Sequence, residues 1–138
     1  MKFSDISLSD WDELQPYLDT CLLPVTGLNG TETPPEATMA LEKLRDLLDL
    51  IEIPFKGRVV TYPACHYAQD EEHLNEALRQ WIHSLRQTGF KYVVLAAASA
   101  SLALEHCGAD AVISPNSDDE LPAQGEVSMI IRSLWNGK

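Results

Sequence analysis

Apolar positions along this chain follow two periods, one near 3.6 residues and one that collapses into short continuous runs. In the first segment Trp11, Leu14 and Leu18 stand at helical spacing over Ser7 to Leu18, with Ser9 and Asp12 as a start and Pro16 as a kink or a late first turn. Thr20 to Val25 is a short apolar run that predicts the first strand, and Thr26-Gly27-Leu28-Asn29-Gly30 predicts a loop. Thr33-Pro34-Pro35-Glu36 is a capping box with proline at the first helical position. The helix it opens places Leu41, Leu44, Leu48 and Ile51 on one face and is expected to end at Pro54.

Arg58 to Tyr62 is a β-branched run between Gly57 and Pro63, the pattern of a central strand covered on both faces. Pro63 cannot donate to a ladder, so Pro63 to Tyr67 is expected to be a loop. A second amphipathic helix follows from Glu71 to Gln87, with Leu74, Leu78, Trp81 and Leu85 as its stripe and Gly89 just beyond its end. Lys91 to Ala97 predicts a third strand, Ser101 to Cys107 a short helix, and Asp110 to Ser114 a fourth strand. Val127, Ile130, Ile131 and Leu134 mark the last helix. Strands alternating with helices imply an α/β three-layer sandwich. Its sheet is mostly parallel and four-stranded (near 20–25, 58–62, 91–97 and 110–114), with helices on both faces. No linker divides the sequence, so residues 1–138 are expected to form a single α/β domain.

Charge narrows the function. Twenty-one Asp and Glu against ten Lys and Arg leave a net charge of −11, and the basic residues form no patch. Such a chain repels phosphate backbones and anionic lipid headgroups, which argues against nucleic acid and membrane as partners. No secretory leader is visible, and the apolar stretch from Tyr92 to Glu105 is too short to span a bilayer. Cys21, Cys65 and Cys107 are far apart and odd in number, which suits a reducing cytoplasmic setting.

In a parallel sheet, ligands are expected beyond the carboxyl ends of the strands. Four loops would line that edge: Pro24 to Gly27, Pro63 to Tyr67, Ala98 to Ser101 and Ser114 to Ser117. Their candidate ligand-binding residues are Thr26, Tyr62, Cys65, His66, Tyr67, Ser99, Ser101 and Asn116, a hydroxyl-rich set suited to a neutral or weakly charged small molecule. Cys65 and His66 are adjacent, so in an extended segment they point apart and make no dyad. No paired His or Cys spacing points to a metal, and no glycine-rich phosphate motif accompanies Gly27 and Gly30. No catalytic residue and no cofactor is therefore assigned.

Three blocks carry a family resemblance: Tyr17-Leu18-Asp19-Thr20-Cys21-Leu22-Leu23-Pro24; Lys56-Gly57-Arg58 with Pro63 and Tyr67; and Leu78 and Trp81 with Gly89-Phe90-Lys91. They resemble the YpiF-like family, an uncharacterised group from Bacillus-type bacteria. The resemblance implies an α/β fold in a bacterial cytosol and supplies no reaction; Cys65 and His66 depart from its pattern. The expectation is a non-catalytic module that binds a small molecule or a protein partner. The alternative is an enzyme with a novel site at the carboxyl edge, using Tyr62, Cys65, His66 or Tyr67. Met129 and Trp135 lie off the apolar stripe of the last helix. This places Trp135 either at a contact with a second subunit, as in a homodimer, or with another partner, or folded back over the N-terminal helix near Trp11.

Overall fold

The computed structural model describes residues 1–104 and 106–137. A 3-10 turn over Phe3–Asp5 precedes α1 (Leu8–Leu14), β1 (Thr20–Leu28), α2 (Pro34–Phe55), β2 (Val59–Thr61) and β3 (Cys65–Tyr67). Then come α3 (Glu71–Gln87), β4 (Tyr92–Ala97), β5 (Ala111–Ile113) and α4 (Gln124–Trp135). Every ladder is parallel, in the order β2-β1-β4-β5, with β3 also pairing β1. The α/β expectation holds, with α1 and α3 on one face of the sheet and α2 and α4 on the other.

Alternation along β1 assigns its side chains. Cys21, Leu23 and Val25 join Leu74, Leu78 and Ile82 of α3, whereas Leu22 joins Leu44, Leu47 and Ile51 of α2. The path from β1 leftward to β2 carries α2, and the return across β1 to β4 carries α3. Opposite directions of travel with one crossover hand require opposite faces.

β1 is the central strand. It runs to Leu28, through the residues expected to be a loop. β2 lies at the sheet's outer side, not its centre. It is buried because helices cover both faces and the N-terminal residues cover its edge. Met1 donates its amino group to the Val59 carbonyl (3.0 Å) and accepts from the Thr61 N–H (2.8 Å). Past Pro63 the chain re-enters the sheet as β3, beside the far half of β1, where a loop was expected. Nine residues of β1 leave room for two short strands in line on one side.

Helix boundaries moved for local reasons. α1 stops at Leu14, before Pro16, and Ser7 rather than Ser9 caps it through the Asp10 N–H (3.2 Å). α2 opens with the expected box, Thr33 and Glu36 bonding reciprocally, but runs through Pro54 to Phe55. Pro54 has no N–H for the Leu50 carbonyl, and Gln124 Nε2 of α4 donates to it instead (2.9 Å). Leu47 joins Leu44 and Ile51 on the inner face, Leu48 packs half-buried beside them as expected, and Leu41 is exposed.

No helix forms among the described residues of 101–107. The connection from β4 to β5 buries Leu104 and Cys107 on the α3 side. Side chains of α3 satisfy its carbonyls: Asn75 donates to Ala103 (2.6 Å), Arg79 to His106 (3.0 Å) and Arg86 to Gly108 (3.0 Å). External donors replace the internal ladder a helix would have made.

At the amino edge of the sheet, Arg58 forks onto Asp19 (2.8 and 3.0 Å) and lies 4.1 Å from the Trp135 ring centroid. Trp135 Nε1 donates to buried Thr20 (2.8 Å), and its ring meets Phe55 edge-on. This indole is spent on its own chain, on the face opposite Trp11, and gives no reason to seat a second subunit there.

Candidate functional site

The eight candidate residues divide into a linked group and three outliers. At the far end of β1 the register with β3 shifts between Val25–Cys65 and Leu28–Tyr67, so Thr26 and Gly27 together oppose His66. Gly27 has φ +77°, the left-handed value that lets one strand bulge. A Cβ there would also lie 2.7 Å from the Leu102 side chain. The bulge turns Thr26 toward β3. Its hydroxyl stands 3.2 Å from His66 Nδ1 and within reach of the Cys65 and His66 carbonyls (3.4 and 3.2 Å). One hydroxyl proton serves these acceptors, and Thr26 is buried while the His66 ring is exposed. The contact fixes β3 to β1.

Cys65, His66 and Tyr62 also wall a cavity of about 490 Å³. Its other lining comes from Leu23, Pro63 and Ala64, and from Trp81, Ser84 and Leu85 of α3. Tyr62 is shared with a second groove of about 250 Å³ lined by Phe3, Ile6, Leu8, Trp11 and Val60. The Tyr62 ring is held edge-on against buried Phe90, which in turn meets Trp11. The site thus lies along the outer flank of the sheet, on the face of α1 and α3. Tyr67 projects into solvent beyond it.

Ser99, Ser101 and Asn116 stand apart from these walls. Ser99 accepts from the Ser101 N–H (3.2 Å), with the two hydroxyls 2.8 Å apart. The Asn116 side-chain oxygen Oδ1 accepts from the N–H groups of Asp118 and Glu120 (2.9 and 3.0 Å). Each group closes its own turn.

The carboxyl edge is provided with its own anions. Where a phosphate would meet backbone N–H groups after β1, the Glu32 carboxylate accepts from Asn29 (3.0 Å) and Gly30 (3.0 Å). The Asn29 bond above all holds Glu32 below the usual carboxylate range. Asp70 occupies the start of α3 in the same way, accepting from the His73 N–H (2.8 Å). A small hollow of about 160 Å³ between these turns includes none of the eight candidates. An anionic ligand meets carboxylates here.

Nor are the thiols prepared as nucleophiles. Burial pushes Cys65 up to about 11 and Cys21 up to about 12, so both are protonated at neutral pH. Among the described residues, no three His, Cys, Asp or Glu side chains come together to hold a metal. No helix among them is long and apolar enough to cross a membrane.

The model of a family described as protein of unknown function (DUF2487) matches residues 9–106. The chain belongs to the DUF2487 family. No curated protein and no solved structure matches it. The DUF2487 match runs from within α1 to the connection after β4, and so takes in β1, the β2–β3 connection, β3 and α3, which build the larger cavity.

Sequence reasoning missed the α3 wall. Leu74, Leu78 and Ile82 form the inner stripe, which leaves Trp81 outside it at 46% exposure. The available signal was Ile82, which continues Leu74 and Leu78 at four-residue spacing and competes with Trp81 for the inner face. Phe3 and Leu8, the latter 91% exposed, were also readable as apolar residues stranded in an acidic segment.

Proposed function

We propose that this DUF2487 domain is a non-catalytic binding module whose flank groove receives an apolar segment of a protein partner. The observation that carries this reading is the pair of apolar cavities meeting at Tyr62, bordered by the exposed side chains of Phe3, Leu8 and Trp81. A folded domain gains nothing by leaving such groups beside one another in water, so a contiguous patch of them marks an interaction site. The protonated thiols and the Thr26–His66 contact support a wall without chemistry of its own. Reduced Cys21 and Cys65 support a cytosolic setting, and the three sequence blocks, all within the matched span, support a place near the YpiF-like group.

A photoreactive phenylalanine analogue placed at Trp81 of the full chain, in its host cell, tests the reading. One discrete protein adduct is expected, absent when the analogue replaces exposed Met39 on α2 and abolished by Tyr62→Glu. An adduct that survives Tyr62→Glu in a folded variant rejects the groove. Adducts to a metabolite alone favour the enzyme or small-ligand reading.

A further inference from the structure

The two lips of the groove differ in charge. Along the N-terminal lip the lining residues Phe3, Ile6, Ser7, Leu8 and Trp11 are interleaved with Asp5, Asp10, Asp12 and Glu13, all exposed. On α1, Asp12 lies four residues after Leu8, so it shares that residue's side of the helix. α1 has no buried residue. Trp11 and Leu14 rest against the core from outside and remain half open, while Leu8 stands in solvent.

The nearby cations are engaged elsewhere. Lys2 reaches Glu52 on α2 (2.7 Å), the Met1 amino group bonds the Val59 carbonyl, and Arg58 is held by Asp19. On the α3 lip, Arg79 and Arg86 turn to the connection after β4, which leaves Gln80, Trp81, Ser84 and Gln87 exposed. The trough is therefore apolar in its floor, acidic on one lip and uncharged on the other.

We infer that the occupant of this groove is a cationic amphipathic segment of a protein, its apolar side chains on Tyr62, Trp11 and Trp81 and its Lys or Arg residues along the α1 lip. The inference rests on the groove reading above and adds the partner's charge. Apolar burial supplies the affinity, while the lip carboxylates set orientation and exclude acidic segments. An anionic membrane surface, which also offers apolar depth, carries the sign of charge that these lips repel.

The test uses three synthetic peptides of about 18 residues, long enough to form a helix on the groove. All share one leucine stripe, and the polar positions are Lys, Gln or Glu. Amide chemical-shift mapping on the full chain reads the site, and titration reads the affinity. The Lys peptide is expected to shift Tyr62, Trp81 and Leu8, and to bind more tightly than the Gln peptide. Rising salt should weaken it, and Asp12→Asn should weaken it by about two- to five-fold, as expected for an exposed charge pair. Equal binding of the Lys and Gln peptides at the groove overturns the cationic inference and leaves the groove reading standing. Shifts confined to other surfaces, with Tyr62 and Trp81 unmoved, overturn both. Groove shifts induced instead by vesicles of phosphatidylcholine and phosphatidylglycerol overturn the protein partner.

Discussion

Thr26 and His66 meet across the β1–β3 ladder, Oγ1 to Nδ1 at 3.2 Å, because the bulge at Gly27 turns the strand there. The threonine is buried and the histidine exposed, so the contact is an anchor for β3 rather than an arranged acid and base. Thr26→Val keeps the shape and removes the hydroxyl. It should lower unfolding stability by about 1 kcal/mol, the scale of one lost buried hydrogen bond. Hydrogen exchange should quicken at the amides of residues 65–68 more than elsewhere. His66→Ala, with an exposed ring, should cost less, and so should Cys65→Ser. A folded His66→Ala variant that lost all biological activity would contradict the non-catalytic reading.

Pro54 and Gln124 make a second testable pair. The Leu50 carbonyl would bond the N–H of residue 54 in an ordinary helix, and here Gln124 Nε2 takes that place. Gln124→Ala should therefore cost about 1 kcal/mol in the native background. In a Pro54→Ala background the restored N–H reaches Leu50 itself, and the same substitution should cost much less. A double-mutant cycle from urea unfolding measures the difference. Additive effects would mean that the glutamine matters only through its bond to Ser128 (3.0 Å).

These examples show where the sequence was legible. Thr33 and Glu36 act within four residues of one another, and Gly89 ends α3 by its own backbone freedom (φ +119°), so both could be read from composition alone. The apolar runs of β1 and β4 likewise declared themselves. Pro54 was misread because the group that compensates for it lies seventy residues away. β3 was missed because what admits it is the length of β1, not anything within Cys65-His66-Tyr67. The connection after β4 has helical spacing, but donors from α3 hold its carbonyls in another form.

The candidate site was legible in the same uneven way. Tyr62, Cys65 and His66 do line one cavity, and Thr26 lies behind it. Its other wall depended on which of Trp81 and Ile82 faces inward, a rotation of roughly 100° that an apolar pattern resolves poorly. Ser99, Ser101 and Asn116 drew notice for their chemistry and are occupied by their own turns.

The start of α3 should titrate as a pair. Asp70 accepts from both the N–H and the ring of His73, which holds Asp70 low and, through the side-chain bond, raises His73. Asp70's contribution is present above its unfolded value of 3.8 and fades as pH falls through the depressed folded value. His73's contribution is present below 6.5 and fades as pH rises through its raised folded value. Between 3.8 and 6.5 the cap is complete, and amide protection in the first turn of α3 should be greatest there. Proton NMR should find His73 titrating above the ordinary histidine value of 6.5, and Asp70→Asn should bring it down. An unmoved His73 would show that the contact is not formed in solution.

The buried thiols make stability fall on the alkaline side. Unfolded, Cys21 and Cys65 ionise near 9.0; folded, burial holds them at about 12 and about 11. Between those values the unfolded chain has released protons that the folded chain keeps, so unfolding is favoured as pH rises. Cys21 is fully inaccessible, and its share at pH 10 should be on the order of 1 kcal/mol. Tyr62 adds to the same slope, since burial also raises its hydroxyl. Urea midpoints at pH 8 and pH 10 should therefore differ more in the native chain than in Cys21→Ala, even though the alanine costs some packing at both. Alkylation of the folded protein should be slow at neutral pH and faster at Cys65, which lines the groove, than at Cys21, which is buried in the core between the sheet and α3. A thiolate at Cys65 already reactive at neutral pH would reverse that order of argument and return the residue to the list of candidate nucleophiles.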